Sequence, residues 1–300
     1  MRFTRLGLGC NNFGRRVDLE GTRAVVDAAI AADVRFLDTA DVYGSPSGQS
    51  ERFLGEVLQG RRHEVTLATK FGFAIDVPGA PGAPRGSRAY VRWAVEGSLE
   101  RLGTEVIDLL QYHKPDGVTP ISETLGAMSE LVDEGKVRAL GVSQQSPPQV
   151  REAYASAGDR LVTVQDEYNL LERGAEAELL PECTRLGLGF LPFFPLASGL
   201  LTGKYRRGED APAGTRLHGR GEVADDPTFD RLDRLAQFAE RCGIEPIDAA
   251  IGWLAAQPAV ASVIAGATKP EQVERNARAA EWRPSSDDLA DLDRIFPPGR

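Results

Sequence analysis

Along the chain, two kinds of segment alternate. Short apolar runs rich in Val, Leu and Ile occupy positions 6–10, 34–39, 65–69, 106–111, 137–142, 161–164, 188–193 and 260–264. They lack a clean in–out alternation, which predicts parallel strands buried on both faces. Longer amphipathic segments lie between them, at 19–32, 49–58, 87–101, 121–134, 147–156, 175–185 and 270–280. Two more, 230–241 and 247–256, precede the last strand. Pro147 and Pro270 stand where a helix start tolerates a missing N–H. Strand-then-helix alternation calls for a parallel sheet, and eight repeats favour an α/β fold closed into a (β/α)8 TIM barrel. No composition break marks a boundary, so residues 1–300 are expected to form one barrel with an extra C-terminal helix at 286–295. Segments 71–86 and 196–227 are too long for plain connections. On the C-terminal face of a barrel, long loops carry substrate and cofactor contacts.

Composition removes several alternatives. The 44 acidic and 35 basic side chains leave a net charge of −9, which argues against nucleic acid or an anionic membrane as partner. The longest apolar stretch, 186–201, is interrupted by Pro192 and Pro195 and falls short of the roughly 20 residues of a membrane span. No apolar leader opens the chain. Cys10, Cys183 and Cys242 have neither paired nor metal-ligand spacing and read as free thiols of a cytoplasmic protein. The histidines are His63, His113 and His218, and only His113 falls at a strand end, so no metal site is expected. Gly7, Gly9 and Gly14 look like a dinucleotide fingerprint, but the third glycine comes two positions late and a loop follows. A tight turn after the first strand is the simpler reading.

The polar residues at strand ends carry more information. Strand two runs into Asp38 and then Tyr43, strand three ends at Lys70, and strand four is followed by His113. An acid, a phenol, an ammonium and an imidazole thus project from the ends of neighbouring strands, where a barrel keeps its active-site rim. A phenol is a poor acid near neutrality unless its anion is stabilised. An ammonium about 4 Å away contributes about 4 kcal/mol at an effective dielectric of 20, or up to about three pKa units before desolvation and the carboxylate oppose it. Asp38 is expected to pair with Lys70, and His113 to hydrogen-bond a substrate carbonyl. Each residue alone has an ordinary structural explanation. Four at three successive strand ends point to catalysis.

These residues resemble the catalytic tetrad of the aldo-keto reductases, closest to the bacterial and potassium-channel-β-like branch. Asp38, Tyr43 and Gly44, then Lys70, then Gln111, His113 and Asp116 match it in identity, order and spacing. The resemblance implies carbonyl reduction with Tyr43 as proton donor, assisted by Lys70, Asp38 and His113, and NADPH (NADP+) rather than NADH as cofactor. It implies a cofactor site built from Cys10, Asp38, Ser143, Gln144, Gln165, Phe193, Pro195, Leu196, Ser198, Gly199, Lys204, Gly266, Thr268, Lys269, Gln272 and Asn276. Ser143 and Gln165 would face the nicotinamide carboxamide, Phe193 would stack on its ring, and Lys204 would counter the pyrophosphate. The preference for NADPH follows from Lys269 and Arg275, the latter standing where relatives often have glutamate. Phe194 stands where many have serine, and the hairpin that usually closes the barrel floor is missing. The substrate pocket is expected to involve Phe13, Tyr43, Phe71 and His113, with Phe73 and the loops 71–86 and 206–227 shaping its mouth. The expected partner is a small-molecule carbonyl compound, and the chain is expected to be a monomer or a simple homo-oligomer. The alternative is a cofactor-sensing regulatory subunit of the same fold with little turnover.

Overall fold

The computed structural model describes residues 3–75, 79–219, 221 and 223–298. Eight parallel strands, β1 (Leu6–Gly9), β2 (Phe36–Asp38), β3 (Thr66–Phe71), β4 (Ile107–Tyr112), β5 (Val137–Ser143), β6 (Leu161–Glu167), β7 (Gly189–Phe193) and β8 (Val263–Gly266), pair in one sheet. Each strand pairs with its chain neighbours, and β8 pairs with β1, in register Leu6 to Val263 and Gly9 to Gly266. The last gap is bridged where the Phe190 N–H donates to the Ala259 carbonyl and the Ala261 N–H donates to the Phe190 carbonyl, at 2.7 and 2.9 Å. The result is a (β/α)8 TIM barrel.

The helices are α1 (Leu19–Ala31), α2 (Gln49–Val57), α3 (Arg88–Leu102), α4 (Ile121–Asp133), α5 (Pro147–Ala157), α6 (Leu179–Leu186), α7 (Asp226–Cys242), α8 (Pro246–Ala255), α9 (Pro270–Ala279) and α10 (Ser286–Ile295). Side-chain caps fix several starts. Asp18 accepts from the Gly21 N–H, Ser87 from the Tyr90 N–H, and Asp225 from the Thr228 N–H. Pro147 and Pro270 occupy first-turn positions, as expected. The predicted helix 175–185 divides into a short 3₁₀ turn, Gly174–Glu176, and α6, and α7 begins four residues before its predicted start. None of the helices, among the described residues, is long and apolar enough to cross a membrane.

The interior of the barrel is a small apolar plug of Phe36, Ala68, Leu109, Ala139, Leu191 and Ile264. Gly7 makes this possible: a Cβ there would stand 2.7 Å from Phe36 and 2.8 Å from Ile264. The glycines that mimic a nucleotide fingerprint therefore serve packing. The floor, left open in the sequence reading, is closed by Phe3, whose ring meets Phe36 edge-on at 4.9 Å, with Val162 and Ala261 beside it. The larger core lies between strands and helices.

Candidate active site

Side chains that point inward from β2, β3, β4 and β6 meet above the apolar plug. Lys70 is wholly buried, and its Nζ donates to Asp38 Oδ2 at 2.6 Å and to the Thr39 carbonyl at 3.0 Å. The second Asp38 oxygen accepts from the Gln111 amide at 2.9 Å and the Gln165 amide at 3.1 Å. The carboxylate is thereby clamped on both oxygens. Lys70 Nζ also lies 5.2 Å from the centroid of the Tyr43 ring, and the His113 ring meets Tyr43 edge-on at 5.8 Å.

Protonation follows from burial. Burial opposes the Lys70 ammonium, but the Asp38 carboxylate and the Tyr43 hydroxyl outweigh it, and its pKa rises. For Tyr43, burial pushes the pKa up, Lys70 pulls it down and Asp38 pushes it up again, with a net rise. The sequence reading had the ammonium lowering it. The ammonium acts in that direction, but desolvation, with the Asp38 charge added to it, outweighs the pull of Lys70. His113, buried and within the field of Lys70, is held well below its ordinary pKa and is neutral. Its Nδ1 has no partner among the described residues.

Behind Tyr43 lies a polar cluster that the sequence did not advertise. Glu51 accepts from Thr69 Oγ1 at 2.6 Å and from Arg101 Nε at 2.7 Å. Asp41 sits nearby, fully buried, and burial followed by the charge of Glu51 raises its pKa well above the usual range. Asp116 turns out to be an organiser of loops. Its carboxylate accepts from the N–H groups of Gly86, Val118 and Thr119 and from the Thr119 hydroxyl. Burial opposes its charge, yet these bonds hold its pKa down at about 2.

A cavity of about 830 Å³ opens over this group. Tyr43, Asp38 and His113 line its deep end, while Lys70 stays behind them. Cys10, Ser143, Gln144 and Gln165 form one wall, and Phe193, Pro195, Leu196, Ser198, Gly199 and Lys204 the next. Gly266, Thr268, Lys269, Gln272 and Asn276 close the far side at the start of α9. Gly199 is required where it stands, with φ at 96° and Lys204 Nζ 2.6 Å from where a Cβ would be. Phe194, Ala197 and Ser198 also have positive φ, so this loop is bent sharply around the cavity. Arg275 lines it too, hydrogen-bonded to Glu245.

Two expected pocket residues are elsewhere. Phe71 follows the inward-pointing Lys70 along β3, so it faces outward and stacks on Tyr112 at 5.3 Å in the helix-packed core. Phe13 is buried in the same core because the turn after β1 curls back to bridge Val17. Phe73 does not line the cavity but packs edge-on against His113 at 4.5 Å. In the loop 71–86, residues 76–78 lie outside the described residues. The second loop does reach the mouth, through Ala213, Gly214, Thr215 and Arg216, and Arg216 lies over the Phe194 ring. Asn11, Asn12 and Arg16, which follow β1, also line the cavity and were missed. Polarity at a strand end was the available signal for the two asparagines.

Ser143 offers a test of whether a nicotinamide cofactor suits the cavity. Its buried hydroxyl has no partner among the described residues and belongs to the lining of a cavity that a half-buried Phe193 also lines. An unmet hydroxyl and an aromatic face in one cavity are the donor and the surface that a planar, amide-bearing ring requires.

Comparison with known proteins agrees with this geometry. The family model "Aldo/keto reductase family" matches residues 5–296. A probable voltage-gated potassium channel subunit beta from Oryza sativa subsp. japonica is 35% identical, covering 95% of this chain and 89% of that protein. An uncharacterized oxidoreductase, YrpG, of Bacillus subtilis is 36% identical, with 99% and 93% covered. L-glyceraldehyde 3-phosphate reductase of Escherichia coli is 32% identical, with 100% and 90% covered. With nearly its whole length matched and its barrel closed around these side chains, the chain belongs to the aldo/keto reductase family.

Proposed function

We propose that the chain is a cytoplasmic, NADPH-dependent reductase of aldehyde and ketone carbonyls, with Tyr43 as general acid. The observation that carries this reading is the buried Asp38–Lys70 pair placed under the Tyr43 ring at the deep end of a cavity that His113 also lines. A raised pKa keeps the Tyr43 hydroxyl protonated at neutral pH, the form needed to donate to a carbonyl oxygen. As that proton leaves, the Lys70 ammonium stabilises the phenolate in a site sheltered from water. Asp38 keeps Lys70 charged, and the two glutamine bonds to Asp38 fix the direction of the pair. His113, neutral and with an unpartnered nitrogen, orients the carbonyl against Tyr43.

When bound, a reduced nicotinamide supplies the hydride. Ser143 and Gln165 would hold its carboxamide and Phe193 its ring. Ser198, Gly199 and Lys204 would hold the pyrophosphate. Thr268, Lys269, Gln272 and Asn276 at the α9 N-terminus suit the adenosine phosphate, since a helix start attracts anions. Lys269 with Arg275 favours NADPH, although Glu245 shares the charge of Arg275. The name of the Escherichia coli relative supports a small aldehyde as substrate class.

The test is NADPH oxidation by wild type and Tyr43→Phe over a panel of aromatic and aliphatic aldehydes, ketones and quinones. Wild type should turn over. Tyr43→Phe should lose about 10²–10⁴-fold in kcat while keeping its NADPH affinity. A variant that reduces at the wild-type rate refutes the assignment. The plant potassium-channel relative supports a second reading, a cofactor-sensing subunit. Tight NADPH binding with no turnover across the panel favours it.

A further inference from the structure

Gln111, wholly buried on β4, does not itself line the reaction cavity. Its amide nitrogen donates to Asp38 Oδ1 at 2.9 Å, and its amide oxygen accepts from the Gln165 amide nitrogen at 3.3 Å. The same Gln165 nitrogen donates to Asp38 Oδ1 at 3.1 Å. Gln165 does line the cavity, and its register partner across the sheet is Ser143. Gly141 keeps room for this arrangement. A Cβ there would stand 2.9 Å from Gln111 Cγ and 2.4 Å from Thr163 Oγ1.

These bonds settle which way each amide points. One end of an amide carries only donors and the other only acceptors, while a carboxylate only accepts. Asp38, paired with the Lys70 ammonium, therefore takes N–H groups from both glutamines. That turns the Gln111 oxygen towards Gln165, where it takes the second Gln165 N–H. A Gln165 amide turned the other way would set its oxygen against Asp38 Oδ1 and the Gln111 oxygen together, acceptor against acceptor. With both N–H groups committed, Gln165 has only its carbonyl oxygen to offer a molecule in the cavity. The Ser143 hydroxyl, with no partner among the described residues, can donate to an amide or to a carboxylate alike. Discrimination between those two groups therefore falls to Gln165.

We propose that Gln111 is a positioning residue for cofactor recognition. It holds the Gln165 amide with its oxygen towards the cavity, so that the site takes a pyridine ring bearing a carboxamide and turns away one bearing a carboxylate. This inference rests on the nicotinamide reading of the cavity.

The test compares the dissociation constants of NADP+ and nicotinic acid adenine dinucleotide phosphate, which differ only at that ring substituent, by fluorescence titration of the intact protein. Wild type should bind NADP+ at least about tenfold more tightly, because a site built around a hydrogen bond rejects an analogue lacking the donor. Gln111→Met, similar in volume but without an amide, should narrow the ratio to about threefold or less, since the freed Gln165 N–H can then meet a carboxylate. Gln165→Leu should narrow it too, and adding Gln111→Met to that variant should change the ratio no further, as expected of one residue acting through the other. A Gln111→Met protein that binds both dinucleotides more weakly but keeps the wild-type ratio overturns the proposal, because a purely structural role has that outcome. A wild-type ratio near one overturns it as well. Failure of wild type to bind either dinucleotide would overturn the nicotinamide reading itself.

Discussion

The two ends of the barrel each bury an aspartate against cations, and they treat it in opposite ways. At the C-terminal end Asp38 and Lys70 are both out of water, 0% and 4% exposed at lysine and aspartate side chains, and their neighbourhood is left incomplete at Ser143 and His113. At the N-terminal end Asp108, the second residue of β4, is satisfied on both oxygens. It accepts from Arg62 at 2.6 Å, the Leu67 N–H at 2.9 Å and Arg138 at 2.9 Å. There the cations stay wet, Arg138 at 69% exposure. A pair buried on both sides costs desolvation that its attraction barely repays, so it is weak evidence for stability and a reasonable sign of function. A buried acid with wet cations and a backbone donor stitches strands together. The contrast lies in the acids: Asp38 is bonded to a buried ammonium beneath the cavity, whereas Asp108 is bonded on both oxygens to two arginines and a backbone N–H.

Four substitutions sharpen that contrast. The largest effect is expected at Lys70→Met, which strands the Asp38 charge. Stability should fall by about 3 kcal/mol in denaturant titration. Turnover should fall by about 10²-fold or more, and the alkaline limb of the pH–rate profile should move upward as Tyr43 loses its cation. A variant with normal stability and an unshifted profile would erase the distinction between the two ends. Asp108→Asn comes next, at about 2 kcal/mol of stability with turnover unchanged, because it removes an anchor remote from the cavity. Lost turnover at full stability would reverse the roles of the two aspartates.

Asp116→Asn should cost about 1 kcal/mol at neutral pH, after allowing for solvent screening. The folded carboxyl titrates near 2, below its unfolded value, so its contribution is complete above about pH 4 and lost as the pH falls towards 2. Wild-type and variant stability curves should therefore converge in acid, and a constant gap down to pH 2 would contradict this. The smallest effect, under about 0.5 kcal/mol, is expected for Arg138→Ala, whose mostly exposed pair is screened by water.

Much of the cavity was legible because strand ends in a barrel converge whatever the loops do. Tyr43, Ser143, Gln165 and Phe193 all line it. Phe71 was misread for a reason period-2 geometry explains: its neighbour Lys70 had already taken the inward direction. Asp41, Glu51 and Arg101 were opaque, because Arg101 reaches Glu51 across 50 positions and no local spacing announces that.

The sequence by itself determined the eightfold alternation, the closed barrel and the order of polar residues at its rim. These follow from local periodicity, and parallel strands leave few ways to close. Only the tertiary structure decided which charges neutralise one another. Burial, not the nearby ammonium, sets the direction of the Tyr43 pKa, and Phe3 packs on Phe36 beneath the plug. Desolvation and packing depend on what surrounds a group in three dimensions, and that surrounding is assembled from residues far apart along the chain.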